Sequence, residues 1–308
     1  MPHRRLRTLA VTGGTGFVGR HLLRMAAAAG YEVRALTRRA QEPEEGITWV
    51  EGALDRPETL AALCEGADAV IHIAGLINGD RAAFEAVNAG GTAAMIDAAR
   101  KAGVRRFVHV SSLAAREPDL SAYGWSKAKS ERIVAASGLD WTILRPPAVY
   151  GPGDRETMEL FRMARRGLVA LPPHGRFSVI HVADLCRLIL AVVPDARTVA
   201  ESYEPDDGRE GGWAHRDFAR ALAGAYGRRA PLTLALPRRI LSIAARIDRA
   251  VRGADARLTA DRVGYYCHPD WTAAAERRPP PALWRPEVDT EAGIAETAAW
   301  YRAKGWMK

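Results

Sequence analysis

The stretch "LAVTGGTGFVGRHLLRMAAAAGYEVRALTRRA", residues Leu9–Ala40, decides the fold of this 308-residue chain. It opens with a short apolar run, which is typical of a buried strand. Three glycines, Gly13, Gly16 and Gly19, follow at intervals of three, and the next residues have the apolar spacing of a helix that ends at Gly30. A second apolar run, "YEVRAL", then has the pattern of another strand. Strand, glycine turn, helix and strand in this order predict the first part of a dinucleotide-binding unit.

Each glycine of this turn has its own physical purpose. Gly13 permits the tight turn, Gly16 lets the backbone approach a pyrophosphate, and Gly19 lets the helix pack closely on the strand. The helix N-terminus then presents free N–H groups to phosphate oxygens. A glycine-rich turn that binds no ligand is the alternative interpretation. We predict cofactor contacts at Gly13, Thr15, Gly16, Phe17, Val18 and Gly19.

The second predicted strand ends in Leu36-Thr37-Arg38-Arg39 and carries no acidic residue there. A carboxylate at this place would bind the 2′-hydroxyl of an adenosine ribose, whereas guanidinium groups suit a 2′-phosphate. Arg38 and Arg39 therefore predict NADP(H) rather than NAD(H) as the cofactor. The alternative is that both arginines are solvent-facing loop residues.

A group of side chains suited to proton transfer follows a later strand, "FVHV". Ser111 and Ser112 come at its carboxyl end, where open α/β sheets bind their ligands. Tyr123 follows Ser112 by eleven residues, and Lys127 shares its helix face at the i+4 position. A nearby ammonium lowers the pKa of a phenol, which suits proton exchange with a carbonyl oxygen. We predict Ser112, Tyr123 and Lys127 as the catalytic residues.

The motifs "TGGTGFVG", "YGWSK", "RPPAVYGPGD" and "HVAD" together resemble those of extended short-chain dehydrogenases/reductases, the NAD(P)-dependent epimerase/dehydratase family. The resemblance implies an α/β fold: a Rossmann-type doubly wound parallel sheet with a small C-terminal substrate lobe. Ala53 and Leu54 are a departure, because they stand where the family often carries an acid that touches adenine. The further cofactor contacts that the resemblance implies are Leu54, Ala74, Gly75, Asn88, Tyr123, Lys127 and Pro146.

Two regions follow from this comparison: an NADP-binding core over residues 1–154, and a substrate lobe interleaved with the remaining core elements over residues 155–308. The later region contains "PRRILSIAARIDRAVRG", in which Ile240, Ile243, Ala244, Ile247 and Val251 share one helix face and the arginines lie largely off it. Such a basic amphipathic helix suits an anionic membrane surface or the cover of a lipid cleft. An ordinary lobe helix packed on the core is the alternative. The C-terminal stretch "VDTEAGIAETAAWYRAKGW" and, similarly, "LTADRVGYYCHPDW" resemble, more loosely, those of 3β-hydroxysteroid dehydrogenase-like and bacterial ceramide reductase-like proteins.

Composition limits the class of protein further. The three cysteines are far apart and in no metal-ligand spacing, so we expect a reducing cytoplasm and no bound metal. The net charge is +8, yet the arginines are spread along the chain, so we expect no nucleic-acid partner. No apolar run approaches the roughly 18–20 residues that span a bilayer. We expect a cytoplasmic protein, with peripheral contact at the inner membrane surface and a homodimer as open possibilities.

Four functions compete. The leading one is an NADPH-dependent reductase of a lipid-like carbonyl, such as 3-oxo-ceramide or a 3-oxo-sphingoid, with Tyr123 as proton donor. A nucleotide-sugar epimerase would recycle a tightly held NAD, against which Arg38 argues. A sugar dehydratase would carry an Asp-Glu pair where Leu113-Ala114 follow Ser112. A catalytically silent NADP-binding sensor or complex subunit would usually lack the tyrosine or the lysine.

Overall fold

The apolar run that opens the glycine motif forms a strand whose residues are buried almost throughout. The structure is a computed structural model that describes residues 6–172, 174–253 and 258–307. In chain order the strands of these residues are Thr8–Thr12 (β1), Glu32–Thr37 (β2), Ile47–Glu51 (β3), Ala69–His72 (β4), Arg106–Val110 (β5), Asp140–Leu144 (β6), Ala148–Tyr150 (β7), Leu168–Leu171 (β8), Arg176–Phe177 (β9), Val179–His181 (β10), Glu201–Tyr203 (β11), Trp213–Ala214 (β12), Leu232–Ala235 (β13) and Asp270–Trp271 (β14).

The α-helices of the same residues are Phe17–Ala28 (α1), Pro57–Cys64 (α2), Arg81–Phe84 (α3), Gly91–Lys101 (α4), Ala122–Ala135 (α5), Met158–Arg166 (α6), Val182–Val192 (α7), His215–Gly224 (α8), Arg238–Arg252 (α9), Ala260–Tyr266 (α10) and Thr290–Ala303 (α11). A π-helical segment, Glu85–Gly90, joins α3 to α4. Short 3₁₀ turns occur at Leu113–Arg116, Ala196–Thr198 and Ala275–Arg277.

The main sheet is parallel, and helices cover both of its faces. Across the described residues its strand order is β3-β2-β1-β4-β5-β6-β11, with β1 near the middle. Leu9 and Val11 pack on the side of α1 and α7, whereas Ala10 between them packs on the side of α2 and α4. Both faces of β1 are therefore apolar, as a doubly wound sheet requires. The predicted Rossmann-type sheet is confirmed.

A second apolar core lies outside the main sheet and forms the lobe. Phe161 of α6, Phe218 of α8 and Tyr301 of α11 pack together there with Tyr150 and Ile294. The chain also returns to the main sheet beyond residue 155, because α7 packs beside α1 and β11 pairs with β6. The proposed division at residue 154 stays a prediction, and its outer ends, residues 1–5 and 308, lie outside the described part of the chain.

Helix α9 does not pack its apolar stripe on the core. Ile240, Ile243, Ile247 and Val251 are all exposed, whereas Ala245 is buried. The alternative of an ordinary lobe helix packed on the core therefore applies only to the side around Ala245, and the isoleucines take no part in that packing. The physical reason is that the smaller side of the helix, around Ala245, is the side that meets the lobe.

No helix among residues 6–172, 174–253 and 258–307 is long and apolar enough to cross a membrane.

Candidate active site

The glycine turn after β1 takes a conformation that explains two of its glycines. Gly13 has a φ of +77°, and a Cβ there would lie 2.7 Å from the backbone nitrogen of Ala74. A Cβ on Gly19 would lie 2.1 Å from the carbonyl oxygen of Gly13. Any side chain at either position would therefore force the turn, the helix and the loop after β4 apart. The roles predicted for Gly13 in turning and for Gly19 in close packing match this geometry.

The start of α1 can accept an anionic group. Gly16 is the N-cap residue, and no side chain among the described residues accepts a hydrogen bond from that first turn. The first turn also contains no acidic residue. Its free N–H groups and the positive end of the helix dipole suit a pyrophosphate, which is the group that a dinucleotide would place there. The residues present at this turn thus fit a dinucleotide cofactor.

The arginines after β2 do not share one environment. Both side chains are exposed, but Arg38 lines the large cleft above the sheet, while Arg39 is not among the described residues that line it. The Thr37 hydroxyl donates to the Arg39 carbonyl oxygen at 2.6 Å and so shapes this loop. Three further arginines that the sequence analysis missed, Arg20, Arg24 and Arg56, also line the cleft. Arg20 and Arg24 are spaced i, i+4 on α1 and so share one face of the helix, and this spacing could have identified them from the sequence.

Tyr123 and Ser112 meet across the cleft, as predicted. Ser112 is the N-cap of the 3₁₀ turn after β5, and its hydroxyl accepts a hydrogen bond from the Ala114 amide at 3.2 Å. Tyr123 lies in the first turn of α5, and its hydroxyl lies close enough to Ser112 for that side chain to affect its pKa. The expected lowering of the Tyr123 pKa by Lys127 is wrong for this structure. Burial raises the pKa of Tyr123, the Ser112 side chain lowers it in part, and the Glu156 carboxylate raises it further.

Lys127 lies directly behind the cleft rather than in its lining. Its side chain is buried, and its ammonium group donates to the carbonyl oxygen of Val110 at 2.9 Å. Burial lowers the pKa of Lys127 to about 8, against the opposing effect of the Glu131 carboxylate. A Cβ on Gly75, in the loop after β4, would lie 3.8 Å from the Lys127 nitrogen, so this loop passes close to the ammonium.

Asn88 holds this loop in place instead of facing the cleft. Its side-chain oxygen accepts from the Leu76 amide at 2.7 Å, and its side-chain nitrogen donates to the Leu76 carbonyl at 3.1 Å and to the Ser126 hydroxyl at 2.9 Å. It lies in the π-helical segment between α3 and α4. Such single π turns commonly occur at functional sites. Asn88 thus joins the loop after β4 to α5, the helix of Tyr123.

A buried polar chain beneath the site was missed by the sequence analysis. Thr92 donates to the Asn88 carbonyl at 2.6 Å, which leaves its oxygen to accept from Nε2 of His72 at 3.0 Å. Nδ1 of His72 then accepts from the Thr12 hydroxyl at 2.7 Å. Burial, followed by the charge of Lys127, lowers the pKa of His72 to about 3, so the ring is neutral. This series of hydrogen-bonded side chains connects the ends of β1 and β4 to the segment that carries Asn88.

One continuous cleft of about 3780 Å³ runs from the glycine turn into the lobe. Pro146 is buried and accepts a hydrogen bond from the Leu113 amide at 3.1 Å, whereas Pro147 after it borders the cleft. Within the described part of the chain, Arg39, Asn88, Lys127 and Pro146 are absent from the lining. The predicted residues that line the cleft are Gly13, Thr15, Gly16, Phe17, Val18, Gly19, Arg38, Leu54, Ala74, Gly75, Ser112 and Tyr123.

The lobe reaches the site through α10. The Asp261 carboxylate accepts a hydrogen bond from the Ala122 amide at 2.6 Å, next to Tyr123 in the chain. A Cβ on Gly264 would lie 2.8 Å from the Leu120 carbonyl, so this helix lies close against the segment before α5. Tyr265 lines the cleft near Tyr123 and stacks on Trp271 with ring centroids 4.5 Å apart. Helix α10 therefore sets the position of the lobe side of the cleft relative to the Tyr123 phenol.

These features define the site: a dinucleotide cradle, a serine–tyrosine pair at the carboxyl edge of a parallel sheet, and an adjoining substrate lobe. A model of the NAD dependent epimerase/dehydratase family matches residues 9–204. Because that match covers more than half of the chain, the chain belongs to this family. This confirms the predicted resemblance and places the chain in an NAD(P)-dependent enzyme family.

Among its relatives, the ceramide reductase of Caulobacter vibrioides is 37% identical, with 97% of this chain and 96% of that protein covered. The 3 beta-hydroxysteroid dehydrogenase/Delta 5-->4-isomerase of Mycobacterium tuberculosis is 29% identical over 73% of this chain and 71% of its own length. The solved structure of MoeE5 in complex with UDP-glucose and NAD superposes with a TM-score of 0.73 at 23% identity, covering 97% of this chain and 99% of that one. This last likeness shows the fold alone.

Proposed function

We propose that this chain is an NADPH-dependent reductase of a lipid-like ketone, such as 3-oxo-ceramide or a 3-oxo-sphingoid. The observation that carries the proposal is the continuation of the cleft beyond Tyr123 into an apolar part of the lobe. Its lining there includes Met163, Val169, Phe218, Leu222 and Leu241, from α6, β8, α8 and α9. Burial of apolar surface contributes about 25 cal/mol per Å², so such a lining can hold an alkyl chain with few polar contacts. The similarity to a ceramide reductase supports the same substrate class.

The proposed mechanism assigns one task to each side chain. Bound NADPH supplies the hydride. Tyr123 donates the proton to the carbonyl oxygen, and the Ser112 hydroxyl donates a hydrogen bond to the same oxygen. The phenol of Tyr123 has an ordinary pKa near 10, which burial raises further, so it carries at neutral pH the proton that the reducing direction consumes. Lys127 would hold the nicotinamide ribose, and Asn88 would position the loop next to it.

The adenosine end of the cleft is proposed to bind a 2′-phosphate. Arg38 lines the cleft there, and its guanidinium group can form two hydrogen bonds to a phosphate. Leu54 lies in the same lining and offers an apolar surface for adenine. Glu51, which is opposite Thr37 in the register of β2 and β3, also lines the cleft and favours the competing choice of NAD.

A nucleotide-sugar epimerase is the second candidate. Arg249, Arg252 and Arg262 line the lobe side of the cleft, and guanidinium groups there suit a diphosphate as well as a charged lipid headgroup. The fold of this chain also resembles that of a protein solved with UDP-glucose and NAD. The preference for a reductase depends on the apolar lining and on the ceramide reductase relative.

A substrate panel separates the two candidates. Purified protein is mixed with NADPH and either long-chain 3-oxo lipids in detergent or nucleotide sugars, and NADPH oxidation and sugar conversion are both recorded. We expect NADPH oxidation only with the lipids, with kcat/KM rising with chain length because more apolar area is buried. Conversion of a nucleotide sugar without oxidation of NADPH by any lipid would replace the reductase proposal with the epimerase.

The pH dependence of catalysis follows from Lys127. Its ammonium is present below a pKa of about 8 and is lost as the pH rises through that value. We therefore expect kcat/KM for NADPH to fall about tenfold per pH unit on the alkaline side. Glu131→Gln removes the carboxylate that raises this pKa, so the fall should begin at lower pH. Asp97→Asn, in an exposed pair with Lys101, is the matched control and should leave the profile unchanged. A profile that is flat through this range would contradict the proposed role of Lys127.

The cytoplasmic location, the peripheral contact at the inner membrane surface and the homodimer stay predictions.

A further inference from the structure

Helix α9 exposes its three isoleucines and Val251 to solvent and buries Ala245 against the protein. Ile247 is 59% exposed and Val251 is 77% exposed, and Ile240 and Ile243 continue the same stripe. Ala245 is 3% exposed. Residues two positions apart on an α-helix lie about 160° apart around its axis, so Ala245 is nearly opposite both Ile243 and Ile247. An amphipathic helix of a soluble domain normally has the reverse orientation.

The strand before α9 also exposes apolar residues. Leu232 and Leu234 alternate on one face of β13 and are exposed, and Leu168 of β8 is paired with Leu232 and is also exposed. β13 ends at Ala235, and α9 begins three residues later at Arg238. We call the exposed residues of α9, β13 and Leu168 the α9 surface. Contiguous exposed apolar patches of this kind mark interaction sites with proteins or membranes.

The charge of the helix selects among those partners. The sequence of α9 contains five arginines and one acidic residue, Asp248, which is paired with Arg252 at 3.2 Å. Arg239 and Arg246 are exposed and flank the apolar stripe on one side. A second copy of this chain would bring two such basic helices together, which like charges oppose. Nucleic acid would satisfy the arginines but would leave the isoleucines in water.

We propose that the α9 surface docks on an anionic lipid bilayer, with the isoleucine stripe among the acyl chains and the arginines at the headgroups. An anionic bilayer is the partner that satisfies both features of the helix, because interfacial helices combine a buried apolar face with attraction to anionic lipids. Transfer of the exposed isoleucines from water to the acyl region lowers the free energy. Each basic residue near an anionic surface strengthens binding about fivefold.

The inner side of α9 connects this surface to the active-site cleft. Leu241, Ala244 and Arg252 line the cleft, so the helix lies between the proposed bilayer contact and the cavity beside Tyr123. If the substrate is a lipid ketone, as proposed above, docking would place the cleft beside the membrane that contains the substrate. The docking itself does not depend on that function.

Vesicle flotation tests the docking without any substrate. We expect the full chain to float with vesicles of phosphatidylglycerol and phosphatidylcholine at low salt, and far less with phosphatidylcholine alone. Ile243→Ser/Ile247→Ser should abolish flotation, and Arg239→Glu/Arg246→Glu should weaken it by about 25-fold or more. All four residues are exposed, so the variants are expected to fold, which unchanged circular dichroism and NADPH binding would verify.

The control reverses the same number of charges elsewhere. Arg100→Glu/Lys101→Glu lies at the exposed end of α4 and should float as the parent does. Absence of flotation by the parent, or an equal loss in the control, would overturn the proposal. A dimer in sedimentation velocity that dissociates in the isoleucine variant, without flotation of the parent, would assign the α9 surface to a second copy instead. Flotation together with turnover of nucleotide sugars alone would leave the docking intact and reject only the lipid-ketone function.

Discussion

Replacing Tyr123 with phenylalanine is expected to lower kcat by about 10²–10⁴-fold and to leave the affinity for NADPH unchanged. The substitution removes the hydroxyl near Ser112 and retains the ring, whose centroid lies 5.9 Å from that of Phe84. The packing at the start of α5 is therefore preserved, while the proton donor is lost. Single-turnover kinetics with a saturating 3-oxo lipid and a separate titration with NADPH measure the two quantities independently.

Tyr266→Phe is the matched control for this substitution. Tyr266 lines the same cleft from α10 and is partly exposed, so the variant loses one phenol of the cleft without removing the one beside Ser112. We expect its kcat to stay within about threefold of the parent value, as is usual for surface substitutions away from the reacting atoms. Full activity in the Tyr123 variant, or an equal loss in both, would require a different acid.

Arg38→Asp is expected to weaken NADPH binding by about 10- to 150-fold and to leave NADH binding unchanged or improved. A hydrogen bond to a charged group contributes about 1.5–3 kcal/mol, and the aspartate adds repulsion of the 2′-phosphate. Calorimetry with both cofactors gives the ratio of the two dissociation constants directly. The change in this ratio reports the 2′-phosphate contact, since the rest of the two cofactors is identical.

Arg39→Asp makes the same charge change one residue later and is the control. Arg39 is exposed but is not among the described residues that line the cleft, so its effect on the cofactor ratio should be small. Tighter binding of NADH than of NADPH by the parent would show that the arginines after β2 do not select the cofactor. Glu51 would then be the residue to test next, because it borders the same part of the cleft.

Local pattern was sufficient for the cofactor half of the molecule. The positive φ at Gly13 and the close packing of Gly19 on the Gly13 carbonyl follow from backbone sterics within the turn itself. The sequence also indicated that Ser112 and Tyr123 lie near each other. Parallel strands end at one edge of the sheet, and a short connection brings α5 to that edge.

Several site residues lie elsewhere than the motifs suggested, because their positions depend on distant partners. Asn88 is occupied by Leu76 and Ser126, and Lys127 by the Val110 carbonyl. The direction of the Tyr123 pKa depends on burial, which raises it and which a motif does not reveal.

The sequence by itself determined the family, the doubly wound sheet and the presence of an apolar stripe with arginines on one helix. Only the tertiary structure decided which way that stripe faces. A helical period defines a stripe but does not define its neighbours, and in α9 the lobe packs against the side of Ala245. The sequence also predicted a cleft near this helix. The course of that cleft from Tyr123 past Leu241 depends on how the lobe folds back onto the sheet.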